Sequence, residues 1–191
     1  MDIITVEKRN EKLKAKQLRK EGFVPCCVYG GNLPNSISIQ MDQNTADRLF
    51  RELRLGSKIK LKLDDKIIMT QIKNSTNNLM SNKVDHIDFQ ALEPEKKVNS
   101  VTHIILKNAD AVMGVLEKML LEIPYASLPE DMIDTIAIDL EDKAVGTVMT
   151  VGDIPEFLND SIELQVETDS IIFRINEKKN AAANQTEQTE E

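Results

Sequence analysis

Residues 12–31 read KLKAKQLRKEGFVPCCVYGG. A run of basic residues leads straight into an apolar segment that ends in Tyr29-Gly30-Gly31. Lys, Leu, Ala, Gln, Arg and Glu are good helix formers, so residues 9–21 are predicted to be helical. At about 100° per residue, Lys12, Lys16, Arg19 and Lys20 fall within an arc of about 100°. Ala15 and Leu18 lie on another side, where they could touch a core. Only Glu11 and Glu21 offset the seven Lys/Arg between Lys8 and Lys20. That surface suits a polyanion; the bland alternative is a solvated helix face. Gly22 is read as the glycine that ends the helix. Phe23–Tyr29 is read as a buried strand, with Pro25 near its start, where a missing N–H costs little. The stretch is a charged segment mounted on a rigid core strand, and the chain is read outward from it.

Upstream, residues 2–7 favour a first strand. Downstream, Gly30-Gly31-Asn32 signals a turn and Ser36–Gln40 alternates as a half-buried strand. Asp42 is a candidate N-cap for an amphipathic helix carrying Ala46, Leu49, Phe50 and Leu53, closed by Gly56. Lys58–Leu63 alternates strictly with one basic face. Asp64-Asp65 turns it into a second strand, Lys66–Ile72. The polar run 73–83, KNSTNNLMSNK, is predicted to be a loop, followed by a strand over Val84–Ala91.

Residues 92–97, LEPEKK, are placed as a domain boundary. Beyond them, β-like runs at 100–107, 115–123, 133–140, 145–151, 161–168 and 170–175 indicate a second β-rich domain. Charge divides at the same place. Residues 1–90 hold 16 Lys/Arg against 11 Asp/Glu, a net of +5, and residues 91–191 hold 8 against 21, a net of −13. Two modules with different partners are expected. The tail from Glu177 has no large apolar residue and is predicted to be disordered. The expected fold class is therefore mainly β with a few short helices, in units 1–92, 93–176 and a tail, 177–191.

No apolar run approaches the roughly 20 residues of a membrane span, and the first ten residues lack a signal-peptide core. A cytoplasmic protein without a membrane partner is expected. Cys26 and Cys27 are adjacent, point to opposite faces of a strand and read as small residues of a core strand, with no zinc spacing. Two histidines, His86 and His103, are too few for a typical His-rich metal site. No glycine-rich phosphate loop occurs. Neither a cofactor nor a small-molecule substrate is expected. His86-Ile87-Asp88-Phe89 places two polar residues on one face of a strand and two apolar residues on the other. A small hydrolase using His86 and Asp88 would lack a convincing nucleophile. Binding fits better: RNA recognition needs cations for phosphates and polar edges for bases or 2′-OH groups. The basic segment supplies the first; Tyr29, Gln71, His86 and Asp88 could supply the second if their strands are neighbours.

At AKQLRKEGFVPCCVYGG, Gln71 and DHIDF, and in the second half at LPEDMIDTIAIDL and VGDIP, the chain resembles the bacterial large-subunit ribosomal proteins that bind 5S rRNA, in the two-domain general stress protein Ctc form. The resemblance spans about residues 2–175. It implies a six-stranded β-barrel-like RNA-binding domain, followed by a β domain associated with the ribosome surface. The implied partners are 5S rRNA, the other rRNA of the large subunit and neighbouring ribosomal proteins. The resemblance implies phosphate contacts from Lys16 and Arg19 and minor-groove contacts from His86 and Asp88, with Tyr29 and Gln71 at corresponding family positions; Lys12, Lys20 and Gly30 are further candidate RNA contacts beside them. A stress-associated assembly or translation factor that binds the same RNA transiently is the alternative within this fold. The chain departs from the family pattern at Glu11-Lys12-Leu13 and Lys16-Gln17, where members usually carry a Gly-Lys-Gly turn and an Arg pair. It also reads Lys73-Asn74-Ser75 in place of Arg-His-Pro.

Overall fold

Alternating apolar residues close the first half of the chain into a barrel. Strands β1 (Ile3–Lys8), β2 (Phe23–Tyr29), β3 (Ile37–Asp42), β4 (Lys58–Leu63), β5 (Lys66–Asn78) and β6 (Lys83–Ala91) run around it in the order β1-β3-β2-β6-β5-β4. The structure, a computed structural model, describes residues 3–159 and 161–177. The tail predicted to be disordered lies outside the described residues beyond Glu177. Closure comes from parallel pairing of Ile3–Val6 with Lys60–Leu63. Val24, Ile39, Leu61 and Phe89 point inward and are fully buried. At about 25 cal/mol per Å² of buried apolar surface, such side chains supply most of what holds the barrel together.

Pro25 sits where its lack of an N–H does no harm. It pairs with Gln40 of β3, whereas pairing with β6 begins only at Cys26. Asp42 caps helix α2 (Gln43–Glu52): its carboxylate accepts from the N–H groups of Asn44 and Thr45. Ala46 and Leu49 of this helix are buried, but Phe50 is 41% exposed and lies at the margin of the apolar stripe.

Two expectations for the barrel are corrected. Helix α1 is Ala15–Lys20 rather than 9–21. Arg9 still donates its N–H to the Ser38 carbonyl, and the Asn10 N–H is taken by Gln40 Oε1. A turn from Asn10 to Leu13 follows, so strand pairing overrides helix propensity over the first part of the segment. The run from Lys73 is not a loop either: β5 continues to Asn78, paired with β6. Its register shifts between Ile72 and Asn74 and again between Thr76 and Asn77, as at a bulge, where an extra residue is absorbed and the twist sharpens.

The second half forms two sheets. β10 (Thr135–Asp139), β7 (Val98–Lys107), β9 (Glu122–Ser127) and β12 (Glu163–Leu164) make one, in that order; β11 (Val148–Thr150), β13 (Ile171–Asn176) and β8 (Val115–Lys118) make the other. Ile123, Tyr125, Leu140 and Phe173 are buried in a second core. The buried Tyr125 hydroxyl accepts from the Ile133 N–H and donates to the Ile133 carbonyl. The predicted strand 161–168 shrinks to Glu163–Leu164, and the run 115–123 divides into β8 and the start of β9.

The two cores meet at a polar junction. Gly56, at φ +86°, stands so close to β7 that a Cβ there would lie 2.6 Å from Ser100 Oγ and 2.7 Å from the Val101 carbonyl. Lys58 Nζ donates to the Pro129 carbonyl at 3.0 Å. His103 Nε2 lies 2.9 Å from the Leu55 carbonyl.

Candidate nucleic-acid interface

β6 lies between β2 and β5, and its pleat divides its side chains. Ile87 and Phe89 are buried in the barrel; His86, Asp88 and Gln90 point outward and are half-buried. Residues opposite one another on paired strands share a face. On β2, Cys27 is opposite Asp88 and Tyr29 is opposite Gln90. On β5, Asn74 is opposite Asp88 and Thr76 is opposite His86. Together they form a continuous outward face of hydroxyls, amides, an imidazole and a carboxylate. His86 Nδ1 lies 3.4 Å from Asp88 Oδ1.

Helix α1 seats against β2 with Leu18 buried and brings a cation to this face. Arg19 Nε donates to the Asp85 carbonyl at 3.0 Å and lies 3.6 Å from the Asp85 carboxylate. Arg19 therefore stands at the start of β6, one residue from His86. Lys12, Lys16 and Lys20 are exposed and form no ion pair among the described residues. Lys12 lies in the turn before the helix rather than on it. Gly30 follows Tyr29 at φ +78°, a backbone conformation glycine adopts without strain, and turns the chain beside Gln90.

Gln71 is the exception among the predicted contacts. Its side chain is fully buried, and its Nε2 donates to Gln90 Oε1 at 2.9 Å and to the Asn99 carbonyl at 3.1 Å. It lies opposite Gln90 on the same outward side, but the second domain covers that end of β5 and takes Gln71 out of the exposed face. Sequence reasoning missed Gln90, Cys27, Asn74 and Thr76 on the outward face. The alternation of β6 runs on to Gln90, and that signal was available. The parallel pairing of β2 with β6 left no trace in the sequence.

Cys27 corrects the reading of both thiols as core residues. Only Cys26 is buried inward; Cys27 is half-exposed on the outer face. The face therefore holds a thiol, an imidazole and a carboxylate. Desolvation and then the Asp88 charge push the Cys27 thiol above its ordinary value, with a hydrogen bond from Ser36 opposing them. A reactive cysteine needs the opposite shift. The Tyr29 hydroxyl is likewise raised, by desolvation first and Asp88 second. Among the described residues no group of three or more His, Cys, Asp or Glu is placed to hold a metal ion. No helix is long and apolar enough to cross a membrane.

Residues 4–89 match the Ribosomal L25p family, and residues 97–179 match the C-terminal domain of ribosomal protein TL5. Over 177 residues the chain is 30% identical to the large ribosomal subunit protein bL25 of Treponema pallidum subsp. pallidum, covering 90% of this chain and 88% of that protein. The chain belongs to the Ribosomal L25p family. The bL25 proteins of Caldicellulosiruptor saccharolyticus, 25% identical over 94% of this chain and 89% of that protein, and of Thermosipho africanus, 30% identical over 85% and 77%, are similar along both halves. Membership makes this a structural, non-enzymatic, RNA-binding protein of the large ribosomal subunit, working on the cytoplasmic ribosome.

Proposed function

We propose that the barrel, residues 1–92, binds 5S rRNA through the outward face of β2, β6 and β5, and that residues 93–176 form a separate module directed at other parts of the ribosome. The observation that carries this reading is the meeting of Arg19 with β6: a cation from the basic segment stands beside the polar strand edge that it would need as a partner. Phosphate contacts position a protein on RNA, and edge contacts give selectivity. A-form RNA offers its 2′-hydroxyls and base edges in a wide, shallow minor groove, which a gently curved strand face can approach. Arg19, Lys12, Lys16 and Lys20 serve the phosphates. Tyr29, Gly30, His86 and Asp88 serve the groove, where a carboxylate is tolerable only as an acceptor from a base amino group or a sugar hydroxyl. Gln71 supports this face from its covered end, through Gln90.

Footprinting of the full chain on 5S rRNA tests the reading directly, and protection of a helical internal-loop region is expected. Arg19→Ala should lower affinity and reduce the slope of log affinity against log salt by one phosphate contact, about 0.7 to 0.9. Specific protection that is absent, or a slope that does not move, would remove the barrel face as the binding surface.

A further inference from the structure

The buried amide of Gln71 has its orientation dictated by a group that cannot turn. Its outer nitrogen lies 3.1 Å from the carbonyl oxygen of Asn99, the second residue of β7. A backbone carbonyl only accepts, so the atom facing it must be the NH2 group. The oxygen and nitrogen of a glutamine are otherwise exchanged by a half-turn of the amide. The same NH2 reaches the side chain of Gln90 at 2.9 Å, and the atom it meets there must be an acceptor, Gln90 Oε1. Fixing one amide thus fixes the next. Lys73 Nζ donates to the same Asn99 carbonyl at 3.0 Å, so the second domain also holds a cation at the margin of the face. The arrangement persists although Gln71 Oε1 is left buried without a partner among the described residues.

Gln90 is left with its own NH2 turned away from Gln71 and forming no hydrogen bond among the described residues. Gln90 is half-buried, lies opposite Tyr29, and stands two residues beyond Asp88 on the same side of β6. Two residues of strand span about 6.7 Å. A donor and an acceptor are therefore held side by side, at fixed spacing and in fixed polarity. In a minor groove the base acceptors are purine N3 and pyrimidine O2, and the donor is the guanine amino group. Gln90 NH2 matches the former and the Asp88 carboxylate matches the latter.

We infer that Gln90 is a further, specificity-determining RNA contact that donates into the minor groove, and that Gln71 is a positioning residue that sets its polarity from the backbone of the second domain. This rests on the reading of the barrel face as the 5S rRNA interface. The test measures binding of the full chain to 5S rRNA and to a control duplex RNA, for wild type, Arg19→Ala, Gln90→Met, Gln71→Met and the double variant. Gln90→Met should lower 5S rRNA affinity about 5- to 100-fold, the range of a single base-edge contact, with little change on the control duplex. Gln71→Met should lower it by less, and by nothing further once Gln90 is Met, because Gln71 acts only through Gln90. Gln90→Glu replaces the donor by an acceptor at an accessible position and should lose more than Gln90→Met; this variant decides the matter even if Gln71→Met fails to fold. Unchanged affinity in both Gln90 variants overturns the contact, and independent, multiplying losses from Gln71→Met and Gln90→Met overturn the relay. If wild type does not distinguish 5S rRNA from the control and Arg19→Ala changes nothing, the interface reading itself falls, and the inference with it.

Discussion

The barrel and the second domain each bury an apolar cluster, but they treat their strand edges in opposite ways. The barrel closes on itself through β1 and β4, so each of its strands has a neighbour on both sides. The two sheets of the second domain end in β10 and β12, and in β11 and β8. The outward residues differ in the same sense. On β6 they are half-buried and already held by neighbours: Asp88 by His86, Gln90 by Gln71. On the edge strand β12 the outward Glu163 is exposed and paired with Lys97. A strand held on both sides can carry a fixed pattern of donors and acceptors, because its backbone does not have to be ordered when the ligand arrives. A two-residue edge strand with an exposed ion pair offers electrostatic attraction or repulsion but little pattern. The difference supports the proposal that selective recognition belongs to the first half of the chain.

The largest expected effect breaks the comparison at the cores. Phe89 and Phe173 are both fully buried, one in each cluster. Replacing either by Ala should cost about 3–5 kcal/mol. The two apolar clusters are separate and hydrogen bonds bridge the halves, so each loss should fall on its own half. The two tyrosines report separately, Tyr29 from the barrel and Tyr125 from the second core. In Tyr29→Phe and Tyr125→Phe backgrounds, thermal melts of Phe89→Ala should lower the Tyr29 transition and leave the Tyr125 transition within a few degrees of its place. Loss of both signals at one lowered temperature would show that the halves melt as a single unit.

The barrel was also the more legible half, for a physical reason. Period-two alternation reports which side chains are buried, and in a closed barrel every strand has both a buried face and a pairing partner. The strand assignments at Phe23–Tyr29 and Lys58–Leu63 therefore match the structure. In the second half, Ile162, Leu164 and Val166 alternate as a strand would, and they are buried or half-buried, but only Glu163–Leu164 find a partner strand. Alternation cannot show whether a neighbouring backbone is present. The converse holds at Lys73–Asn78: Asn74–Asn78 pair with β6 and Lys73 falls at a register shift, yet the segment has no large apolar residue to announce a strand. The site was legible where it lay on one strand, as at His86 and Asp88. It was illegible where it depended on which strands are neighbours, as at Cys27, or on the second domain covering Gln71.

A smaller effect should appear at the junction. Gly56→Ala places a methyl group against Ser100 Oγ and the Val101 carbonyl, at a left-handed φ that L side chains rarely adopt. A cost of roughly 1–3 kcal/mol is expected from the strained backbone and the close approach. The same substitution should loosen the contact between Gly56 and Ser100 while leaving Arg19 and Asp88 in place. Thermal melts would show the loss, and 5S rRNA affinity should fall only to the extent that Asn99 moves away from Gln71. A variant as stable as wild type would mean that β7 can shift at no cost and that the two halves are not held in one register.

The smallest effect sharpens the comparison down to two neighbouring residues. Cys26 faces the barrel core, and burial pushes its thiol up to about 12. Cys27 faces the candidate interface, and its thiol is raised first by desolvation and then by the Asp88 carboxylate, which repels a thiolate. Only the thiolate reacts with an aromatic disulfide reagent, so both residues should label more slowly than a free thiol near pH 8, with Cys27 well ahead of Cys26. Labelling of Cys27 should accelerate as pH rises past the ordinary thiol range. Asp88→Asn removes the repelling charge, lowers the thiol pKa and should speed Cys27 at a fixed pH, while Cys26, raised by burial ahead of the same charge, should stay the slower of the two. Bound 5S rRNA should slow Cys27 alone. Equal rates for the two thiols would mean that the barrel opens faster than the reagent attacks. A Cys27 rate indifferent to Asp88→Asn would mean that the carboxylate does not face the thiol, and the outward face would then have to be redrawn without Asp88.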